Sequence, residues 1–189
     1  FFDTFVQVAN PNPTAARIHV TFQRPFGAPP IERDYDTPAL GRLTIPVELV
    51  APELSGTSVS IALTSTNGVP VVAERSMWWP GSDWYEGHAT LATNTTGTAW
   101  AVADGETGGA DNTRTYLLVA SGASATNASL RVLLVRDTGP PIEPILTDAL
   151  TPNARLTIDL GSVFPEIVGE RVGVILESMG QTSAGAVTP

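Results

Sequence analysis

The segment from Ser76 to Trp100 is the part of the chain richest in side chains that could bind a ligand. It holds all four tryptophans, one of the three tyrosines and one of the two histidines. Flat aromatic faces beside polar groups that hold hydroxyls are a common way to bind a sugar ring. The candidate glycan-binding residues are Trp78, Trp79, Trp84, Tyr85 and His88.

The same segment offers a weaker candidate for a metal site. His88 lies close in sequence to Glu86 and Asp83. Zn²⁺ usually takes three or four His, Cys or carboxylate ligands. One histidine with two acids is a poor match to that requirement, so we predict no metal here.

A second acidic stretch, ADGETGGADN from Ala103, places Asp104, Glu106 and Asp111 among glycines. Such a stretch could suggest Ca²⁺, but its spacing does not match the alternating ligands of an EF-hand loop. We interpret it as the end of a strand followed by a turn.

Residues for catalysis are scarce. The chain has no cysteine and none of the common nucleophile, metalloprotease or phosphate-binding motifs. Its two histidines are far apart, and His19 lies inside the alternating strand pattern RIHVTF, where we expect it to face solvent. We therefore predict a protein that is not an enzyme and binds no cofactor.

Composition and charge narrow the classes of partner. With 10 basic and 19 acidic residues, the net charge of −9 leaves no basic stripe to neutralise a phosphate backbone. No apolar run is long enough to span a membrane, and no signal peptide is recognisable. The basic residues are all arginines, and the lack of lysine together with many Ser, Thr, Asn and Gly residues favours an extracellular or cell-surface location.

An internal repeat organises the elements that carry these residues. RLTIPVELVAPELSG, which begins at Arg42, recurs as RLTIDLGSVFPEIVG from Arg155, 113 positions later. VSIALTS from Val59 matches VGVILES at the same offset, and FVQVAN from Phe5 matches YLLVAS from Tyr116 at an offset of 111. The chain therefore holds two copies of a unit of about 112 residues, each incomplete.

Within each copy the apolar residues alternate, as in FVQVA, RIHVTF and SVSIALTS, and Gly, Pro and Asn clusters separate the runs. This pattern predicts an all-β chain of two tandem antiparallel β-sandwich domains of immunoglobulin-like type. Residues 1–79 form the first repeat, which lacks its opening strand. Residues 80–98 form an aromatic-rich junction, and residues 99–189 form the second repeat, which lacks its closing strand.

The repeat supplies a second interpretation of the tryptophans. Large aromatic side chains between two sandwiches could fix the two domains in one relative pose. We favour this role in domain packing over the sugar platform, and both hypotheses remain open at this point.

The order of the motifs FDTFVQVANPNP, PALGRLTI, STNGVPVVAERSMWW, EGHA and WAVADGETGG resembles a repeat domain of unknown function found in tandem in large secreted bacterial proteins. The resemblance spans nearly the whole chain. It implies a cell-surface module of structural or adhesive type with no catalytic residues. SGASATN and SMGQTSAGAVTP depart from the pattern in the second copy.

Together these features predict a structural protein that self-associates or packs against neighbouring repeats, as a surface array, stalk or filament. The alternative is a carbohydrate-binding or adhesive module that uses the tryptophans. Asn94 and Asn127 begin N-x-S/T triplets and are candidate glycosylation sites.

Overall fold

The computed structural model describes residues 2–25, 27–80, 82–122, 127–181 and 187–188. The chain is all-β, with 55% of its residues in strands and 8% in helices, and the sheets are antiparallel. It separates into two compact units, Phe1–Thr95 and Thr96–Pro189. The boundary falls inside the segment 80–98, which we predicted to connect the two repeats.

Seven strands and two short 3-10 turns make up the described part of the first unit. The strands are β1 (Asp3–Asn10), β2 (Ala16–Gln23), β3 (Ile31–Thr37), β4 (Gly41–Pro46), β5 (Ser60–Ser65), β6 (Val72–Trp79) and β7 (Glu86–Leu91). The turns are Val47–Leu49 and Pro52–Leu54.

The described part of the second unit also holds seven strands. They are β8 (Ala99–Glu106), β9 (Tyr116–Ala120), β10 (Ala128–Arg136), β11 (Ile145–Leu150), β12 (Arg155–Asp159), β13 (Arg171–Gln181) and β14 (Val187–Thr188). Helix α1 (Leu160–Val163) and a 3-10 turn (Pro165–Ile167) form a short helical stretch between β12 and β13. No helix among the described residues is long and apolar enough to cross a membrane.

Two sheets share one core in the first unit. One sheet has the order β4-β1-β6-β7 and the other the order β3-β2-β5. Because strand side chains alternate between faces, every second residue of β1, β2 and β4 points inward. The buried side chains come from both sheets and from the 3-10 turns: Val6, Val8, Ile18, Val20, Phe22, Ile45, Val47, Ala51 and Leu54.

The second unit has the same sandwich-like character with a different distribution of strands. β9 pairs with β12 in a two-stranded sheet, while β10 lies between β11 and β13 in the other sheet. β8 and β14 both pair with β13. The core draws on both sheets and on the helical stretch, as Leu117, Leu130, Val132, Leu134, Ile158, Leu160, Phe164, Ile167 and Val174 show.

Strand pairing corresponds between the units at the sequence offsets of 111 to 113. Ile18 lies opposite Ser65, and Leu130 lies opposite Ser178. Val6 lies opposite Ile45, and their counterparts Leu117 and Ile158 are likewise opposite each other. The matching sequence segments thus occupy matching positions in the two sets of sheets.

A buried polar residue lies at the end of β1 in the first unit and directly after β9 in the second. In the first unit the Asn10 side-chain amide donates to the carbonyls of Thr14 and Pro38, at 2.8 and 3.0 Å. Its counterpart Ser121 donates from its hydroxyl to the Thr151 carbonyl. Thr151 corresponds to Pro38 at the offset of 113. Ser121 therefore bonds to the equivalent carbonyl, although its side chain is shorter than that of Asn10.

Two segments near the predicted repeat ends contain strands. Residues 86–91, expected in the connecting segment, form β7, which pairs with β6 from Glu74 to Trp79. The end of the second copy, residues 178–189, lies partly outside the described residues. Its described part contains β14, which pairs with Gly180 and Gln181 of β13.

Candidate functional site

The aromatic candidates lie on one hairpin of the first unit. β6 ends at Trp79, a turn through Pro80 and Trp84 reverses the chain, and β7 begins at Glu86. The amide of Trp84 donates to the Pro80 carbonyl at 3.0 Å, which closes this turn. The hairpin carries Trp78, Trp79 and Trp84 to one end of the sheet that contains β1.

Trp84 folds back over the outer face of that sheet. Its ring stacks on Trp78, with the centroids 6.4 Å apart, and meets Phe5 of β1 edge-on at 5.8 Å. Its indole N–H donates to the Asp3 carboxylate at 2.5 Å. Trp84 has a φ of 51°, a left-handed conformation that is costly for a bulky residue. The stacking and the hydrogen bond to Asp3 offset that cost.

Gly87 makes room for this arrangement. It lies opposite Trp78 in the β6–β7 ladder, and a Cβ built on it would come within 2.7 Å of the Trp78 ring. Real Cβ atoms essentially never approach so closely. The absence of a side chain at this position lets the Trp78 ring lie flat against β7.

Trp79 points to the opposite face because neighbouring strand residues alternate. Its ring meets Phe2 at 5.3 Å with an interplanar angle of 64°. Its indole N–H donates to the carboxylate of Glu86, the residue opposite it in the ladder. Trp79 is therefore separated from the Trp78–Trp84 pair by the thickness of the sheet.

The outer aromatic pair keeps accessible ring surface. Trp78 and Trp84 are 39% and 47% exposed, and Tyr85 is 73% exposed. The Trp84 N–H is already bonded to Asp3, so the free part of this cluster is ring face. His88 is exposed on β7 opposite Met77. It lies on the sheet face opposite that of Trp78, because the two residues occupy alternate positions of the ladder.

The fourth tryptophan belongs to a different element. Trp100 lies on β8 of the second unit, opposite Leu176, and its indole N–H donates to the Gly97 carbonyl at 3.3 Å. The aromatic cluster therefore consists of Trp78 and Trp84 with Phe5, and Trp79 with Phe2 on the other face. Their contacts lie within the first unit, and the hypothesis that they fix the pose of two domains stays a prediction.

Acidic and imidazole groups do not converge on a metal-binding geometry in the described chain. No group of three or more His, Asp or Glu side chains there could hold an ion. Asp104 and Glu106 of the glycine-rich stretch both lie near the Arg171 guanidinium, at 3.8 and 3.1 Å. Gly108 and Thr113 form a bridge across the turn that follows.

His19 lies on β2 with its side chain about one third exposed. Its Nδ1 is 2.8 Å from the Asp34 carboxylate on β3, and Glu32 lies 3.9 Å from Nε2. The hydrogen bond to Asp34 raises the pKa of His19 above its ordinary value of 6.5. This pairing explains the position of the histidine without assigning it a catalytic role.

Arg75 is a partly buried charged residue that the sequence analysis did not single out. It lies opposite Val6, so it points to the inner face of its sheet. Burial lowers the pKa of its guanidinium, and its Nε is buried without a hydrogen-bond partner among the described residues. The alternation of β6 could have identified its inward direction, because Arg75 and Met77 share one face.

The two candidate glycosylation sites are exposed. Asn94 lies in the segment that follows β7, and Asn127 immediately precedes β10. Residues 123–126, which precede Asn127, are outside the described residues. The third residue of the second triplet, Ser129, is fully buried on β10.

The chain matches no protein-family model, no curated protein and no solved structure.

Proposed function

We propose that this chain is a non-enzymatic structural protein of the cell exterior, built from immunoglobulin-like β-sandwich repeats that assemble into a surface array, stalk or filament. The observation that carries the proposal is the shared strand register of the two units. Residues that correspond at offsets of 111 to 113 have corresponding strand partners: Ile18 lies opposite Ser65, and Leu130 lies opposite Ser178. Repeated modules of one fold suit a protein whose role is to extend and to associate.

The chemistry of the side chains supports a structural role. His19 is bonded to Asp34, and His88 lies on a fully exposed strand. The buried polar residues Asn10 and Ser121 hold turns together. The hydrogen bonds of His19, Asn10 and Ser121 stabilise the folded units. The unpaired strand edges of the units are surfaces through which copies can associate.

Sedimentation velocity over a series of protein concentrations tests this proposal. We expect the sedimentation coefficient to rise with concentration as linear oligomers grow, because a contact between different surfaces of two copies does not close on itself. Electron microscopy of the largest species should then show elongated assemblies. A chain that remains monomeric at every concentration would contradict the proposal.

The stacked pair supports a second candidate function, the binding of a glycan. Trp78 and Trp84 expose their rings side by side, and Tyr85 beside them is mostly exposed. A glycan array compared between the wild type and Trp84→Ala tests it, with Trp100→Ala as the control in the second unit. Binding lost only in Trp84→Ala would support the candidate, and binding to no glycan would exclude it.

A further inference from the structure

β5 is an edge strand of the β3-β2-β5 sheet in the first unit, and its edge facing away from β2 is unpaired among the described residues. Within the described chain, β5 pairs with β2 only. Its counterpart in the second unit, β13, pairs with β10 on one side and with β8 on the other. The two units therefore differ at this edge, and β8 shows what occupies it when it is filled.

The backbone groups on the β5 edge can be assigned from the hydrogen bonds of the neighbouring residues. The Thr66 amide donates to Arg17 of β2 at 2.8 Å. Because successive residues of an antiparallel strand bond alternately to opposite sides, the amides and carbonyls of Ser65, Leu63 and Ile61 point away from β2. These are the groups that an added strand would pair with.

The filled edge in the second unit uses the corresponding groups. The Ser178 amide donates to the Thr98 carbonyl at 2.7 Å, and Ser178 corresponds to Ser65 at the repeat offset. Continuing along the ladder, Trp100 lies opposite Leu176 and Val102 lies opposite Val174. The β5 edge and the β13 edge thus present their backbone amides and carbonyls at corresponding residues and in the same register.

Side-chain exposure is high on β7 of the first unit and on β8 of the second. All six residues of β7 are exposed, as expected for a strand covered on neither face. In the second unit Trp100 and Val102 of β8 are 46% and 48% exposed although they are large and apolar. The described part of the first unit contains β6 and β7 but no strand equivalent to β8. The described part of the second unit contains β8 but no strand paired with the free edge of β9.

We infer that the free edge of β5 is an acceptor site for an extended strand of the β8 type, donated by a further repeat unit. The strand runs antiparallel to β5, with the residue equivalent to Trp100 opposite Leu63 and the residue equivalent to Val102 opposite Ile61. Main-chain hydrogen bonds provide affinity, and the alternating apolar side chains select the strand. This inference deepens the proposed assembly function, on which its biological meaning rests.

A synthetic peptide with the sequence of residues 97–108, GTAWAVADGETG, is the probe for this site. We expect it to bind the intact chain and to shift the backbone amide resonances of Ile61, Leu63 and Ser65. No binding would overturn the inference. Binding confined to residues 174–178, by exchange with the chain's own β8, would also overturn it.

Backbone methylation of the peptide provides a matched pair of probes. The amide of Trp100 points toward the acceptor strand, and that of Ala101 points away, because Thr98 and Trp100 occupy hydrogen-bonded positions of the ladder. N-methylation at Trp100 should weaken binding about tenfold or more, since it removes a hydrogen bond and places a methyl group between the strands. N-methylation at Ala101 should leave binding close to that of the parent peptide. Equal loss with both peptides would contradict strand addition.

The protein offers its own matched pair at Ser65. Ser65→Pro removes the outward amide and leaves the β2 ladder intact, since proline is tolerated at unpaired edge positions. We expect Ser65→Pro to lose peptide binding and Ser65→Ala to retain it, with both variants folded as judged by circular dichroism. Unchanged binding to Ser65→Pro would overturn the inference.

Peptide binding and oligomerisation together distinguish failure of this inference from failure of the proposed function. If the chain forms oligomers but does not bind the peptide, the inference fails while the assembly function stands. If the chain binds the peptide but stays monomeric, the inference stands while the assembly function fails.

Discussion

At the scale of single residues, backbone conformation distinguishes the two units at matched positions. Leu40 has a φ of 47°, and its counterpart Asn153 has a φ of 53°. A left-handed conformation costs most residues about 1–2 kcal/mol, whereas asparagine adopts it readily. The second unit thus has a favourable residue where the first has a strained and 75% exposed leucine.

Leu40→Asn should therefore stabilise the first unit. We expect the free energy of unfolding to rise by about 0.5–1 kcal/mol, because the substitution relieves strain and exposes no buried surface. Urea denaturation of the wild type and the variant measures the change. Leu49→Asn is the control, since Leu49 is also exposed but has no positive φ. Equal effects of the two substitutions would contradict this account.

His19 should make stability depend on pH. Asp34 raises the pKa of His19 above 6.5, so protonation of the imidazole stabilises the folded state. This contribution is fully present below the unfolded-state pKa of 6.5 and is lost as the pH rises through the folded-state pKa. The melting temperature should fall across that interval in the wild type and should fall less in His19→Gln and in Asp34→Asn. An unchanged pH profile in His19→Gln would rule out this contribution.

At the scale of the secondary-structure elements, alternation predicted most strands. RIHVTF and SVSIALTS became β2 and β5 because their inward residues fill the core. The segment EGHATL gave no such signal, since all six of its residues are exposed in β7. It forms a strand because it pairs with β6 and because Gly87 accepts the ring of Trp78.

The aromatic cluster was predictable in composition but not in arrangement. The sequence places Trp78 and Trp84 close together, but the turn that starts at Pro80 and the positive φ of Trp84 decide which rings meet. The contact of Trp84 with Asp3 joins residues 81 positions apart. Such long-range pairing depends on the position of β1 between β4 and β6, which a single sequence does not reveal.

Gly87→Ala tests whether the stacked pair depends on the bare backbone of β7. The added methyl group should displace the Trp78 ring, weaken its stacking on Trp84 and destabilise the first unit by about 1–3 kcal/mol. Near-ultraviolet circular dichroism and urea denaturation measure the two effects. Gly122→Ala is the control, because a Cβ there meets no atom within 4 Å. A spectrum and stability equal to those of the wild type would show that the ring does not need this space.

At the scale of the whole molecule, each of the two sandwich-like units has a strand edge that is unpaired among the described residues, on β5 in the first unit and on β9 in the second. In the proposed assembly, units join through these two edges. An unpaired edge row of amides and carbonyls readily pairs with another strand. Assembly by strand addition would cover these rows.

Hydrogen exchange of the β5 amides, compared between monomer and assembly, tests this central claim most directly. The amides of Ala62 and Thr64 bond to β2 and should be protected in both states, which provides an internal control. The amides of Ile61, Leu63 and Ser65 point outward and should exchange rapidly in the monomer and slowly in the assembly. If assemblies form while these three amides continue to exchange rapidly, units do not join through the β5 edge and the account is wrong.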